Sequence, residues 1–158
     1  MHHHLGGWSP DGVHLMFTMN SDIHVLTRSS RGTSALFTQQ TQFSETSPSF
    51  SPDGRHVVFA SNESGREEVY VRPFPGAGGL RQISSDGGSE PVWSRDGREL
   101  FYRSGDRMMA VNVTLSPTLS AGTPRVLFRG VYERIGWGER NYDVSPDGNR
   151  FPMLVPTT

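Results

Sequence analysis

The sequence predicts an all-β fold, and three observations carry that expectation. Eighteen glycines and eleven prolines are scattered through 158 residues with no long apolar run, a composition suited to many short strands joined by tight turns. A four-residue Ser-x-Asp-Gly signature recurs four times, at Ser9-Pro10-Asp11-Gly12, Ser51-Pro52-Asp53-Gly54, Ser94-Arg95-Asp96-Gly97 and Ser145-Pro146-Asp147-Gly148. Short apolar segments flank each copy with the period-two alternation of half-buried strands.

The turn serines are 42, 43 and 51 residues apart. A period of roughly 40–45 residues is that of a four-stranded propeller blade, and the longer last interval signals an insertion around 130–140. Inner strands end at Trp8, Phe50, Trp93 and Val144, immediately before the turns. Second strands follow at His14–Phe17, His56–Phe59 and Glu99–Tyr102. Third strands are expected at Ile23–Leu26, Val69–Val71 and Met108–Val111, and fourth strands near Ala35–Phe37, Leu80–Ile83 and Arg125–Phe128. This places blade 1 at about 5–40, blade 2 at about 45–85, blade 3 at about 89–130 and a partial blade 4 at about 140–155, the last built from strands at Asn141–Val144 and Arg150–Leu154. Asp-Gly suits a tight hairpin and its carboxylate can accept backbone amides, so the repeated aspartates are read as structural.

The turn, the apolar strand after it, and then Asn62-Glu63-Ser64-Gly65 and Glu68-Val69-Tyr70-Val71 together resemble the TolB-like (PD40) β-propeller repeat over nearly the whole chain. The stretch Asn141–Gly148 is similar to the closing repeats of propellers attached to bacterial Ser/Thr kinases, although no kinase motif occurs. The resemblance implies a periplasmic or kinase-linked protein, while the N-terminal Met1-His2-His3-His4-Leu5 lacks the apolar core of a secretion signal and reads as a soluble chain. Propellers close with typically four to eight blades, so about three and a half blades are expected to complete the ring by self-association, most simply as a homodimer.

Composition narrows the chemistry. Fifteen basic residues, all arginine, against sixteen acidic ones give a net charge of −1, which offers no broad field for nucleic acid or an anionic membrane. Without cysteine or lysine, disulfides, thiolate ligands, cysteine nucleophiles and Schiff bases are excluded. Nucleophile-elbow, zinc-protease, phosphate-loop and dinucleotide motifs are absent.

Inner strands line a propeller's channel, so repeat alignment brings His2, His3, His4, Glu45, Glu90 and Glu139 toward one mouth, with His24 on a strand opening nearby. Imidazole and carboxylate ligands suit Zn²⁺ or Mn²⁺, and carboxylates alone would suit Ca²⁺. In that scheme the histidines bind the metal, Glu45, Glu90 or Glu139 completes the site or acts as base, and Tyr132 and Trp137 in the insertion wall a pocket for an activated ester: a phosphotriester, lactone or aryl ester. The His tract also reads as the remnant of an affinity tag. The alternative function is a non-catalytic module docking a protein, peptide or glycan.

Overall fold

The computed structural model describes residues 3–38, 42–76, 78–136 and 138–157. All regular structure among them is strand, and no helix is long and apolar enough to cross a membrane. Strands β1 (His3–Trp8), β2 (His14–Met19), β3 (Asp22–Thr27) and β4 (Ser34–Leu36) form one antiparallel meander. A second contains β5 (Glu45–Phe50), β6 (His56–Ser61), β7 (Glu68–Pro73) and β8 (Arg81–Gln82). The third contains β9 (Ser89–Trp93), β10 (Glu99–Ser104) and the long β11 (Arg107–Thr114), whose outer edge is shared by β12 (Ser120–Ala121) and β13 (Arg125–Arg129).

The Ser-x-Asp-Gly turns share one set of bonds. In the first, the Gly12 N–H donates to the Ser9 carbonyl (2.9 Å), the Ser9 hydroxyl donates to Asp11, and the Val13 and His14 amides donate to Asp11 Oδ1 (3.0 Å) and Ser9 Oγ (2.9 Å). The same pattern recurs at Ser51, Ser94 and Ser145. Glycine closes each turn at a φ of 68–74° that a β-carbon would strain. These donors hold the carboxyls below the usual carboxylate range: the serine hydroxyl is the larger cause at Asp11 and Asp147, the Arg98 N–H at Asp96, and at Asp53 partial burial opposes the shift without reversing it. The aspartates are turn anchors.

Burial follows position in the arc. Every residue of β6 is buried because a blade covers each of its faces, whereas β2 alternates, with Met16 and Thr18 buried and the intervening residues half-exposed. Met16, Ile23 and Phe37 of blade 1 pack against Phe50, Val57, Phe59 and Tyr70 of blade 2. Val58, Val69 and Val71 of blade 2 pack against Trp93, Leu100, Tyr102 and Met109 of blade 3. At the start of the second strands, His14 packs edge-on to Phe74 at 5.0 Å and His56 is 8% exposed.

Blade 4 departs from expectation. The turn at Ser145–Arg150 is complete, but the two strands reduce to a single bridge between Tyr142 and Met153. Pro152 stands at the position whose N–H faces the inner strand in the other blades, and it has none to donate. Side-chain packing holds the segment instead: Phe151 meets Phe101 and Phe128 edge-on at 5.1 and 5.5 Å, and Tyr142, Val144 and Met153 join Val92, Met108 and Ala110 in a third core.

Candidate functional site

The inner strands β1, β5 and β9 each carry a β-bulge on the mouth side of the turn: at Leu5/Gly7 in β1, at Thr46/Ser49 in β5, and in β9 opposite Phe101/Arg103. Ser47 and Glu90, each followed by proline, take φ of 52° and 53° in these bulges. The chain bends there, and blade 1 answers with glycine: a β-carbon on Gly6 would lie 2.6 Å from the Pro48 carbonyl oxygen and 2.7 Å from Pro48 Cγ. Gly6 is what lets β1 approach β5.

Between these strands lies an open cleft of about 520 Å³ lined by His3, His4, Ser47, Ser49, Glu139 and Arg140, with Leu5, Pro48 and Pro91 as apolar wall. Gly138–Arg140 crosses from the last interval to the inner strands of blades 1 and 2. Its backbone is anchored where the Ser47 hydroxyl donates to the Gly138 carbonyl, and a β-carbon at Gly138 would collide with Thr46. His4 Nδ1 and Glu139 Oε1 are 2.8 Å apart across this junction, and His4 Nε2 is buried with no hydrogen-bond partner among the described residues. The cleft thus offers one imidazole–carboxylate pair, a second exposed imidazole at His3, and a guanidinium at Arg140 that lies 3.7 Å from Asp143.

The other carboxylates expected here serve elsewhere. Glu45 is 4% exposed and reaches into blade 1, accepting from the Thr38 hydroxyl and from Ile23 N at 3.4 Å. Burial, only partly offset by those bonds, pushes its carboxyl up to about 6. Glu90, also 4% exposed, pairs with Arg103 and Arg134 at 3.6 Å each, and accepts from Asn141 N at 3.2 Å, while the Tyr142 hydroxyl donates to its carbonyl at 2.7 Å. Burial raises that phenol well above the usual tyrosine range. Counting back from the turn serine loses phase at each bulge, because one extra residue reverses which face a side chain takes. Glu45 and Glu90 therefore clamp structure at the blade boundaries instead of lining the cleft.

His24 lies on β3, stacked on Phe17 at 5.5 Å and facing Ser34 at 3.4 Å, away from the cleft. Tyr132 lines a different cleft with Leu127, Phe128, Asn149, Phe151 and Met153, and its carbonyl accepts from Arg103 at 3.2 Å. His2 and Trp137 lie outside the described residues. Among the described residues no three histidines, aspartates or glutamates come together as a metal-ligand group. Arg103, Arg134, Arg140 and Ser47 went unnoticed in the sequence; the one available signal was Arg103 in a strand of otherwise apolar and small residues, Leu100–Ser104, where a charge demands a partner.

The repeat, its turn chemistry and the stacked meanders agree with a family match. The model of the TolB β-propeller domain, PD40, matches residues 3–150. The chain belongs to the TolB β-propeller family. Its fold is similar to that of a TolB-type protein from Agrobacterium tumefaciens (TM-score 0.72, 20% identity), with 99% of this chain covering 60% of that one. TolB from Acinetobacter baumannii gives a TM-score of 0.65 at 21% identity, over 91% of this chain and 35% of that one. A protein described as a 6-phosphogluconolactonase from Bacteroides uniformis gives 0.60 at 19% identity, over 98% of this chain and 47% of its own length. At these identities the likeness is one of fold, and the PD40 chain spans less than two thirds of each of these propellers. No curated protein matches its sequence.

Proposed function

We propose that this PD40 chain is a recognition module whose inner-strand cleft binds an extended peptide segment. The observation that carries this reading is the lining: charges of both signs, two serines and an apolar wall of Leu5, Pro48 and Pro91 surround about 520 Å³, within the range of small-ligand sites. A peptide supplies backbone donors and acceptors together with side chains of either sign. Two of the three carboxylates expected for metal-assisted hydrolysis, Glu45 and Glu90, are engaged in blade clamps, which leaves Glu139 in the cleft.

The test is selection of a random peptide library on the purified chain, followed by calorimetry of the enriched sequences. Peptides are expected to bind with Arg140→Ala and Glu139→Gln each weakening the affinity roughly tenfold, the scale of one lost charge-assisted bond. No enrichment, or binding indifferent to both substitutions, overturns the proposal.

The His4–Glu139 contact with His3 alongside supports a second reading, a divalent-metal hydrolase of activated esters, for which three protein ligands and an open position are needed. It requires stoichiometric Zn or Mn on the purified chain and aryl-ester, lactone or phosphotriester hydrolysis abolished by a chelator. A metal-free chain, or turnover indifferent to His4→Ala, rules it out.

A further inference from the structure

In an antiparallel meander the first-to-second and third-to-fourth connections leave from the same end of the sheet. In this chain that end carries the Ser-x-Asp-Gly turns and the β3–β4, β7–β8 and β11–β12 loops, while the inner strands begin, and the cleft opens, at the other end. The turns of successive blades touch: a β-carbon on Gly54 would lie 3.4 Å from Pro10 Cδ, and one on Gly97 would lie 3.5 Å from Pro52 Cδ. They form one continuous face.

The fifteen arginines divide by end. Those at the mouth end are all ion-paired: Arg66 with Glu68 at 2.6 Å, Arg107 with Asp86 at 2.8 Å, Arg129 with Asp106 at 3.3 Å, Arg103 and Arg134 with Glu90 at 3.6 Å, and Arg140 with Asp143 at 3.7 Å. At the turn end, Arg125 and Arg150 pair with Glu99 and Asp147, and Arg72 donates to the Gly76 carbonyl. Arg28, Arg31, Arg55, Arg81, Arg95 and Arg98 are exposed and make no ion pair among the described residues. The turn carboxylates beside them, Asp11, Asp53 and Asp96, accept instead from serine hydroxyls and backbone amides. A chain of net charge −1 thus gathers its unpaired cations on one face. Arg55 and Arg98 stand at the same place in successive turns, each with its amide held 3.0 Å from the turn aspartate, so the backbone that presents them is already fixed.

We propose that this turn face docks an acidic polypeptide segment, whose carboxylates take the guanidinium forks of Arg28, Arg31, Arg55, Arg81, Arg95 and Arg98. A guanidinium matches a carboxylate bidentately. The turn aspartates decide the class of partner. A lipid surface or a nucleic-acid backbone presents a continuous run of phosphates, which would press against Asp11, Asp53 and Asp96 as well as meet the arginines. A polypeptide with neutral residues between its carboxylates leaves those positions uncharged. The face lies apart from the inner-strand cleft, so the docking does not depend on what the cleft binds.

The probe is a fluorescein-labelled peptide of about twelve residues alternating Glu and Gly, followed by fluorescence anisotropy on the purified chain in about 50 mM salt. Binding is expected, and should be lost in about 500 mM salt as the charges are screened. Arg55→Gln with Arg98→Gln should weaken it roughly tenfold, the scale of lost charge-assisted contacts, with circular dichroism confirming an unchanged fold. Arg129→Gln, an exposed arginine at the mouth end, should leave it unchanged. Vesicles containing phosphatidylserine and a DNA duplex, titrated under the same conditions, should bind more weakly than the peptide. No peptide binding, equal loss with Arg129→Gln, indifference to the Arg55 and Arg98 substitutions, or preference for vesicles or DNA would each overturn the proposal.

Discussion

Replacing Glu45 by Gln should stabilise the chain at neutral pH and remove a specific part of its pH dependence. Glu45 is 4% exposed at the boundary of blades 1 and 2, where burial outweighs the Thr38 and Ile23 donors, with the Asp22 and Glu63 carboxylates adding to the shift. Its carboxyl rises from 4.5 to about 6, so the folded state holds the proton more tightly than the unfolded chain does. The associated stability is fully present below about pH 4.5 and is lost as pH rises through about 6. At about 1.36 kcal/mol for each pH unit, the loss above pH 7 is at most about 2 kcal/mol. Glutamine keeps the shape and the acceptor oxygen but never ionises. Urea unfolding of both proteins between about pH 4 and pH 8 should therefore show a difference near zero at the acid end, growing to about 2 kcal/mol in favour of the variant at the alkaline end. Glu67 is also shifted upward, chiefly by burial, but it contributes equally to both proteins and cancels in the difference. Parallel curves, or a variant less stable at pH 8, would show that the ionised carboxylate anchors the boundary and that burial is not the governing term.

Other substitutions probe the buried ion pairs, the packing and the turns. Arg103→Met leaves the buried Glu90 with Arg134 as its remaining cation and should cost about 3 kcal/mol in chemical unfolding, a loss largely recovered by adding Glu90→Gln. Gly88→Ala would press a β-carbon into Ser84 and to 3.0 Å from Val69 Cγ2; a loss of about 1–3 kcal/mol is expected, read as a lowered melting temperature. Ser51→Ala removes the hydroxyl bonded to both Asp53 and the His56 amide and should cost about 1–2 kcal/mol, whereas Pro52→Arg should be close to neutral because Ser94-Arg95-Asp96 forms the same turn.

The sequence by itself determined the fold class, the repeat, the role of each turn and nearly every strand, because these depend on neighbours close along the chain. A serine hydroxyl, an aspartate two residues later and a glycine able to take positive φ suffice to build the hairpin that opens each blade, and strand alternation supplies the rest. The strands expected at Asn141–Val144 and Arg150–Leu154 instead reduce to one bridge, because Pro152 has no N–H to offer the facing strand. Tertiary structure alone decided the site. A bulge in each inner strand reversed the facing of residues that counting had placed at the mouth, so Glu45 and Glu90 turned into blade boundaries while Ser47 and Arg140 took the cleft. His4 met Glu139 across 135 positions of chain, and Arg103 found Glu90, through contacts set by how three sheets stack. Such long-range pairings follow from the curvature of the whole arc, which no local stretch of residues encodes.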